Sequence, residues 1–242
     1  MSSLLKIDGM SVSFATPRGN LRAVNDVTIE LLKGESLGVV GESGSGKTVL
    51  SRATMGLLPG TATRTGTITY NGRVISELPK DEVRELWGTG MAMIFQDPMT
   101  ALNPVRRIGS QLTESLTVRL GMDKKAAKLK AIELLKRVRI PDPESMLRKF
   151  PYQLSGGMRQ RIMIAIAVSC EPELLFADEP TTALDVTVQA QVLDLITELR
   201  KESNMAMILV THDLGVVAGH TDKIAVMYAG DVVEYAPTRQ LF

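Results

Sequence analysis

Apolar and polar positions alternate along several stretches of the chain in the way that is typical of half-buried strands. The pattern alternates, or carries β-branched residues around turns, in residues 4–14, 23–30 and 65–74. It also runs through residues 223–235, where Gly230-Asp231 interrupts it. These stretches predict an antiparallel sheet and a closing hairpin.

Four other stretches are short and apolar throughout. Such runs suit strands that are covered on both faces, as in a parallel sheet. They are residues 36–40, 91–95, 174–177 and 205–210.

Helical spacing dominates two further regions, residues 108–168 and 189–200. The first contains a set of apolar positions at near-helical spacing, which we expect to form one buried face: Leu129, Ile132, Leu135 and Val138. The combined pattern predicts an α/β fold with a parallel-sheet core, an antiparallel β subdomain and a helical subdomain.

Composition limits the classes of function. The chain has 242 residues, 28 basic against 27 acidic, and so lacks the charge footprint of a nucleic-acid-binding protein. Cys170 is the single cysteine, which excludes an internal disulfide and a cysteine metal site and favours a reducing, cytosolic setting. No run approaches the roughly 18 apolar residues of a membrane span, so we expect any membrane role to be peripheral.

A basic stretch at residues 119–139 holds eight Lys or Arg against Asp123 and Glu133. It has two interpretations. A solvated helix face is the simpler one, and contact with anionic lipid is the other.

A glycine-rich loop follows the apolar run at 36–40 and precedes a helical pattern through Leu50, Ala53 and Leu57. Its glycines allow backbone N–H groups to surround phosphates, and the helix that follows points its positive end at the anion. Lys47 would reach the β and γ phosphates, and the Thr48 hydroxyl would bind Mg²⁺. The loop therefore predicts binding of a nucleoside triphosphate through Gly41, Glu42, Ser43, Gly44, Ser45, Gly46, Lys47 and Thr48.

Two acids, Asp178 and Glu179, end the apolar run at 174–177. Ligands bind at the carboxyl ends of strands in open α/β sheets. Asp178 suits a Mg²⁺-binding role, and Glu179 suits orientation and deprotonation of an attacking water. An exposed turn is the alternative for such a pair in isolation.

A second anion-binding helix start lies at residues 154–158, Leu-Ser-Gly-Gly-Met, before an apolar run. One nucleotide does not need two phosphate cradles. We therefore expect a head-to-tail dimer in which the Ser155, Gly156 and Gly157 turn of one chain closes on the γ-phosphate held by the other.

Together these motifs resemble the nucleotide-binding subunit of an ATP-binding cassette (ABC) transporter. The resemblance implies a Q-loop at Gln96, which would touch Mg²⁺ and face the membrane partner, a D-loop at residues 183–185 including Asp185, and a switch histidine at His212. It also implies an aromatic that stacks on adenine near Phe14, for which a core Phe is an equal alternative. ATP and Mg²⁺ are the expected cofactors.

Residues 95–104 and 178–191 are similar to the ATPases of oligopeptide, dipeptide and nickel importers. That subfamily implies an ATPase on the cytoplasmic face of the membrane, paired with a second ATPase subunit in a hetero- or homodimer, with permease subunits, and indirectly with an extracytoplasmic substrate-binding protein. Met158 resembles the first of the two paired ATPases. Peptide is the favoured cargo and nickel the alternative.

The resemblance divides the chain into an ATP-binding core with the β subdomain (1–98 and 169–242) and a helical signature subdomain (99–168). The family's usual C-terminal tail is expected to be absent. Two further readings stay open: a non-transport ABC ATPase acting on nucleic acid or ribosomes, which usually carries a long insertion or two cassettes, and an exporter cassette.

Overall fold

Two stretches that are distant in sequence build the first of two units of the fold. The computed structural model describes residues 3–17, 19–182 and 184–242. Its first unit comprises Met1–Trp87 with Asn204–Phe242, and its second comprises Gly88–Ser203.

An antiparallel sheet in strand order β2-β1-β4-β5 forms one part of the first unit. Its strands have alternating burial because one face packs on the unit's core. The three predicted strands are confirmed. The bounds are β1 Ser3–Thr16, β2 Gly19–Leu32, β4 Ala62–Tyr70 and β5 Arg73–Val74.

The other part of the first unit centres on β3 (Ser36–Val40), in which every residue is buried. Strands β8 (Ala206–Thr211) and β9 (Lys223–Tyr228) flank β3 in parallel, and β10 (Asp231–Pro237) completes the predicted hairpin with β9. Four helices complete the unit: α1 Lys47–Thr54, α2 Lys80–Glu85, α9 Leu214–His220 and α10 Thr238–Leu241.

Helix α1 is shorter than the sequence pattern predicts. Leu50 and Ala53 are buried, but the helix ends at Thr54, so that Leu57 lies beyond it. Gly56, at φ +70°, adopts the left-handed conformation that commonly follows a helix end.

The second unit combines two parallel strands, β6 (Met91–Ile94) and β7 (Leu174–Asp178), with a set of helices. Helix α7 is its central element, since it packs against β6, α3, α4, α5 and α8. The helices are α3 Pro98–Ala101, α4 Ile108–Leu120, α5 Lys124–Arg137, α6 Pro143–Met146, α7 Gly156–Ala167 and α8 Val186–Ser203, with a 3-10 turn at Pro151–Gln153.

Of the four apolar positions at helical spacing, Leu129 is exposed and Ile132 is only partly buried. Leu129 is 62% exposed, whereas Leu135 and Val138 are fully buried. The helix presents Ala127 and Ala131 to its neighbours instead, because these small residues and Leu135 lie four positions apart on one face. Leu129 lies off that face. Within the described residues, we find no helix with the length and apolar character of a membrane span.

Candidate nucleotide-binding and hydrolysis site

The glycine-rich loop and His212 leave the same edge of the first unit. Strands β3 and β8 run in parallel with Val40 opposite Thr211. The residues that follow, Gly41 and His212, therefore emerge side by side at the carboxyl ends of adjacent strands, which is where open α/β sheets bind ligands. His212 is exposed.

The loop's backbone requires glycine at two places. Gly46, the N-cap of α1, has φ +103°, and a Cβ there would collide with the backbone oxygen of Ala23. A Cβ on Gly41 would collide with the backbone oxygen of Met227. Side chains at these positions would push the loop away from the sheet and open the phosphate cradle.

The loop fits a polyphosphate. Lys47 is 4% exposed, and its ammonium donates to the carbonyl oxygens of Gly41 and Glu42, both at 2.8 Å. The loop is thus curled around a buried cation. No acidic residue lies in the first turn of α1, so the positive end of that helix is not neutralised from within the turn.

The cradle is braced by distant parts of the first unit. Gly230 N–H, in the β9–β10 turn, donates to Ser45 O at 3.1 Å, and Asn25 N–H donates to Gly230 O at 2.8 Å. The Asn25 side-chain amide also donates to Asp231 Oδ1 at 2.7 Å. The loop's conformation is therefore held from β2 and from the hairpin turn.

Phe14 is half-buried, so it is not a core phenylalanine. It lies on β1 opposite Leu21, two positions along β2 from Ala23, which abuts Gly46. This location places Phe14 on the hairpin that borders the phosphate loop.

The second unit brings the two acids and Gln96 to one strand edge. Ile94 of β6 lies opposite Ala177 of β7, so Gln96 and the two acids follow adjacent strand ends. Asp178 is 1% exposed. Glu179 has φ +45°, a left-handed conformation that costs a non-glycine residue about 1–3 kcal/mol and that clusters at active sites.

Two donors hold the Glu179 carboxylate. Gln96 Nε2 donates to Glu179 Oε2 at 3.0 Å, and Thr182 Oγ1 donates to the same oxygen at 2.8 Å. Sequence reasoning missed Thr182. The bond depends on the left-handed backbone at Glu179, which the sequence does not reveal.

The glycine turn at the start of α7 is built as the sequence predicts. Ser155 is the N-cap, and its hydroxyl accepts from Met158 N–H at 3.3 Å. Gly157 faces Val188 of α8, where a Cβ would approach Val188 Cγ1 to 3.1 Å. Asp185 Oδ1 accepts from Val188 N–H at 3.0 Å and so caps α8, while Ala183 lies outside the described residues.

The oxygen donors fit Mg²⁺ in their chemistry. Mg²⁺ is commonly held by one or two carboxylates together with substrate phosphates rather than by an all-protein cage. The described residues contain no cluster of three His, Cys, Asp or Glu able to hold a metal. The expected kinds of oxygen are present: a hydroxyl at Thr48 in the first unit, and a carboxylate at Asp178 and an amide at Gln96 in the second.

Comparison with known proteins identifies the family. Residues 24–182 match the family model described as ABC transporter. The oligopeptide transport ATP-binding protein OppD of Salmonella typhimurium is 51% identical over 99% of this chain and 71% of its own length. The dipeptide transport ATP-binding protein DppD of Escherichia coli is 49% identical over 99% and 74%.

A solved structure has the same fold. A bacterial ABC transporter cassette, solved as a dimer, superposes with a TM-score of 0.87 at 25% identity and covers 97% of this chain and 99% of its own. The predicted fold class is confirmed. On the match to the family model and on the identity to both transport proteins, the chain belongs to the ABC transporter family.

Proposed function

We propose that this chain hydrolyses ATP to power the import of dipeptides or oligopeptides through a membrane permease. The observation that carries the proposal is the Glu179 carboxylate, which accepts hydrogen bonds from Gln96 and Thr182. The same chain also contains a complete phosphate loop. The relatives' roles in oligopeptide and dipeptide transport support peptide over nickel as the cargo.

Nucleotide binding falls to the first unit. Residues 41–48 surround the phosphates with backbone N–H groups, Lys47 reaches the β and γ phosphates, and Phe14 stacks on the adenine. Thr48, Gln96 and Asp178 would hold Mg²⁺. When bound, the metal neutralises charge on the β and γ phosphates.

Glu179 serves as the general base. Its carboxylate orients a water whose oxygen forms a bond to the γ-phosphorus while the bond to the β–γ bridging oxygen breaks, and it accepts the water's proton. The products are ADP and phosphate. Gln96 and Thr182 fix the carboxylate, and His212 contacts the γ-phosphate.

A second cassette completes each site. The amino-terminal end of α7 favours an anion. The turn of Ser155, Gly156 and Gly157 presents this end to the γ-phosphate on the opposite chain. Asp185 lies at the start of α8, beside this turn. The dimeric state of the solved cassette supports this arrangement. The partner is a sister ATPase subunit or a second copy.

The segment after Gln96 suits a permease contact. Two large apolar residues there are exposed, Met99 at 55% and Val105 at 81%, and Phe95, which directly precedes Gln96, is 38% exposed. Exposed apolar clusters mark interaction sites. Gln111 holds the segment by accepting from Asn103 N–H and donating to two of its carbonyl oxygens. The chain would then lie peripherally on the cytoplasmic face, with an extracytoplasmic binding protein delivering the peptide.

The test is the rate of MgATP hydrolysis against protein concentration, with Glu179→Gln sized in MgATP. A rate that rises with the square of concentration, together with a trapped dimer, supports a self-sufficient homodimer. Binding of MgATP without turnover until a sister subunit is added supports the heterodimer. A high turnover per chain that does not change on dilution into the monomeric range contradicts composite sites.

A further inference from the structure

The second unit contains a groove of about 560 Å³ between α4, the start of α5 and the segment after α6. It lies outside the elements that carry the proposed nucleotide site. Five of its eleven lining residues are basic and one is acidic. They are Arg106, Arg107, Lys124, Lys128 and Arg148, with Glu114.

Most of this charge is not balanced within the unit. Glu114 pairs with Arg106 at 2.6 Å. In the part of the chain that the structure describes, the other four cations have no carboxylate within ion-pair distance. Converging like charges raise the energy of this surface unless an anion binds it.

The basic stretch of the sequence thus divides into two groups. Towards its end two of the three cations are neutralised, Arg137 by Glu202 at 2.8 Å and Arg139 by Glu198 at 2.7 Å. At its start, Lys124 and Lys128 line the groove instead. Lys124 and Lys128 thus add unneutralised charge to the groove, while the exposed Lys125 and Lys136 of the same helix lie outside it.

The groove walls are fixed by backbone hydrogen bonds. Ile108 N–H donates to Lys149 O and Gly109 N–H donates to Leu147 O, each at 2.9 Å. A Cβ on Gly109 would lie 2.7 Å from that Leu147 oxygen, so α4 and the segment after α6 are in close contact. The Arg107 guanidinium lies 5.7 Å from the centre of the Phe150 ring, which restrains it.

We propose that this groove binds a phosphate-bearing anion, either the headgroup of an anionic phospholipid or a free organic phosphate. The donors are the cations, because the Ser110 and Thr113 hydroxyls donate to the carbonyl oxygens of Arg107 and Gly109. Guanidinium and ammonium groups are the usual partners of phosphate. The volume falls within the range of small-ligand sites, about 300–1,000 Å³. The inference does not depend on the cargo or on ATP hydrolysis.

The experiment measures binding of the purified chain to phosphatidylglycerol vesicles by co-sedimentation, with phosphatidylcholine vesicles as reference. Saturating MgADP occupies the phosphate loop throughout. The test variant is Lys124→Gln with Lys128→Gln. The matched control is Lys125→Gln with Lys136→Gln, which removes the same charge from exposed positions of the same helix outside the groove.

A second arm titrates sn-glycerol 3-phosphate by calorimetry in the same buffer. Each lysine near an anionic surface contributes about fivefold in binding, so the test variant should bind phosphatidylglycerol roughly 30-fold more weakly than wild type, and the control much less so. If the test variant loses vesicle binding much more than the control does, and the soluble phosphate does not bind, the ligand is the lipid headgroup. Groove-dependent binding of the soluble phosphate identifies a free phosphate ligand.

Equal losses in the test and control variants would mean diffuse surface attraction and would overturn the proposal. So would a lack of binding in both arms. The substituted lysines are exposed, and thermal unfolding of each variant checks that the fold is retained.

Discussion

The amide of Gln96 donates to the carboxylate of Glu179 across 3.0 Å, although 83 positions separate the two residues. Gln96 begins the segment with the exposed apolar residues that we assign to the permease, and Glu179 is the proposed base. A displacement of that segment would therefore act directly on the hydrolytic carboxylate. The hydrogen bond from Gln96 to Glu179 would then link the proposed permease contact directly to the proposed base.

Glu179→Gln should nearly abolish turnover and leave MgATP binding intact, because the amide cannot accept the proton from water. Loss of a general base typically lowers the rate about 10²- to 10⁴-fold. Steady-state hydrolysis and equilibrium nucleotide binding measure the two effects. If the variant keeps more than about a tenth of the wild-type rate, Glu179 is not the general base.

Thr182→Val should lower kcat about tenfold and leave KM for ATP unchanged, since it removes one of two hydrogen bonds to a charged group. Thr182→Ser keeps the hydroxyl and should restore most of the rate. Thr181→Val serves as the control, because within the described residues Thr181 bonds through its backbone oxygen, which accepts from Gln189 Nε2 and Leu184 N–H. Equal effects of the valine substitutions at both threonines would argue for a general structural role.

Gly46→Ala should weaken ATP binding, because the new Cβ meets the Ala23 oxygen at a left-handed φ. Strain of about 1–3 kcal/mol corresponds to roughly 5- to 150-fold in affinity if the loop shifts to relieve it. Calorimetric titration with ATP measures the change. Gly60→Ala, where a Cβ meets nothing within 4 Å, should bind as wild type does; unchanged binding by Gly46→Ala would show that the cradle tolerates the shift.

Stability should fall at alkaline pH through Lys223 and Tyr235. A hydrogen bond to the Glu35 carboxylate, 2.9 Å away, raises the pKa of Lys223, and burial raises the pKa of Tyr235. The Lys223 contribution is complete below its unfolded pKa of about 10.4 and is lost as pH rises through the folded value. The unfolded tyrosine ionises first, from about pH 10, which also favours unfolding at higher pH.

Urea unfolding at about pH 8 and about pH 11 tests this. Lys223→Met with Tyr235→Phe should lose less stability between the two pH values than wild type does. An identical loss in both proteins would assign the alkaline effect to other groups.

Cys170 should react slowly with a thiol-specific disulfide reagent in the native protein. Burial raises the pKa of its thiol, which is 6% exposed, so both the thiolate fraction and access are low. The rate should rise sharply in urea at the unfolding transition. A native rate equal to the denatured rate would contradict the burial.

Local patterns predicted the parts of the site that depend on neighbours in sequence. The phosphate loop lies between β3 and α1 because strand, glycines and helix are contiguous, and Ser155 caps α7 because its cap bond reaches only three residues ahead. Met91, Met163 and Met207 lie in apolar stretches of the sequence and are buried in the core.

Features set by tertiary packing were not predicted. Periodicity assigned Leu129 to the core, but the small residues on another face of α5 determine which side packs. The hydrogen bond between Thr182 and Glu179 depends on the left-handed backbone at Glu179, which no composition rule places there. The brace from Asn25 to Gly230 joins residues more than 200 positions apart.

That brace sets an order of events during synthesis. The phosphate cradle requires Gly230 against Ser45, and β3 requires β8 and β9 at its sides, so the cradle cannot be complete until the chain has been synthesised as far as the β9–β10 turn. Gly88–Ser203 is contiguous and can pack earlier. A nascent chain gains the capacity to hold ATP only after that turn has been synthesised, and nucleotide binding then shows that the two sequence stretches of the first unit have packed together.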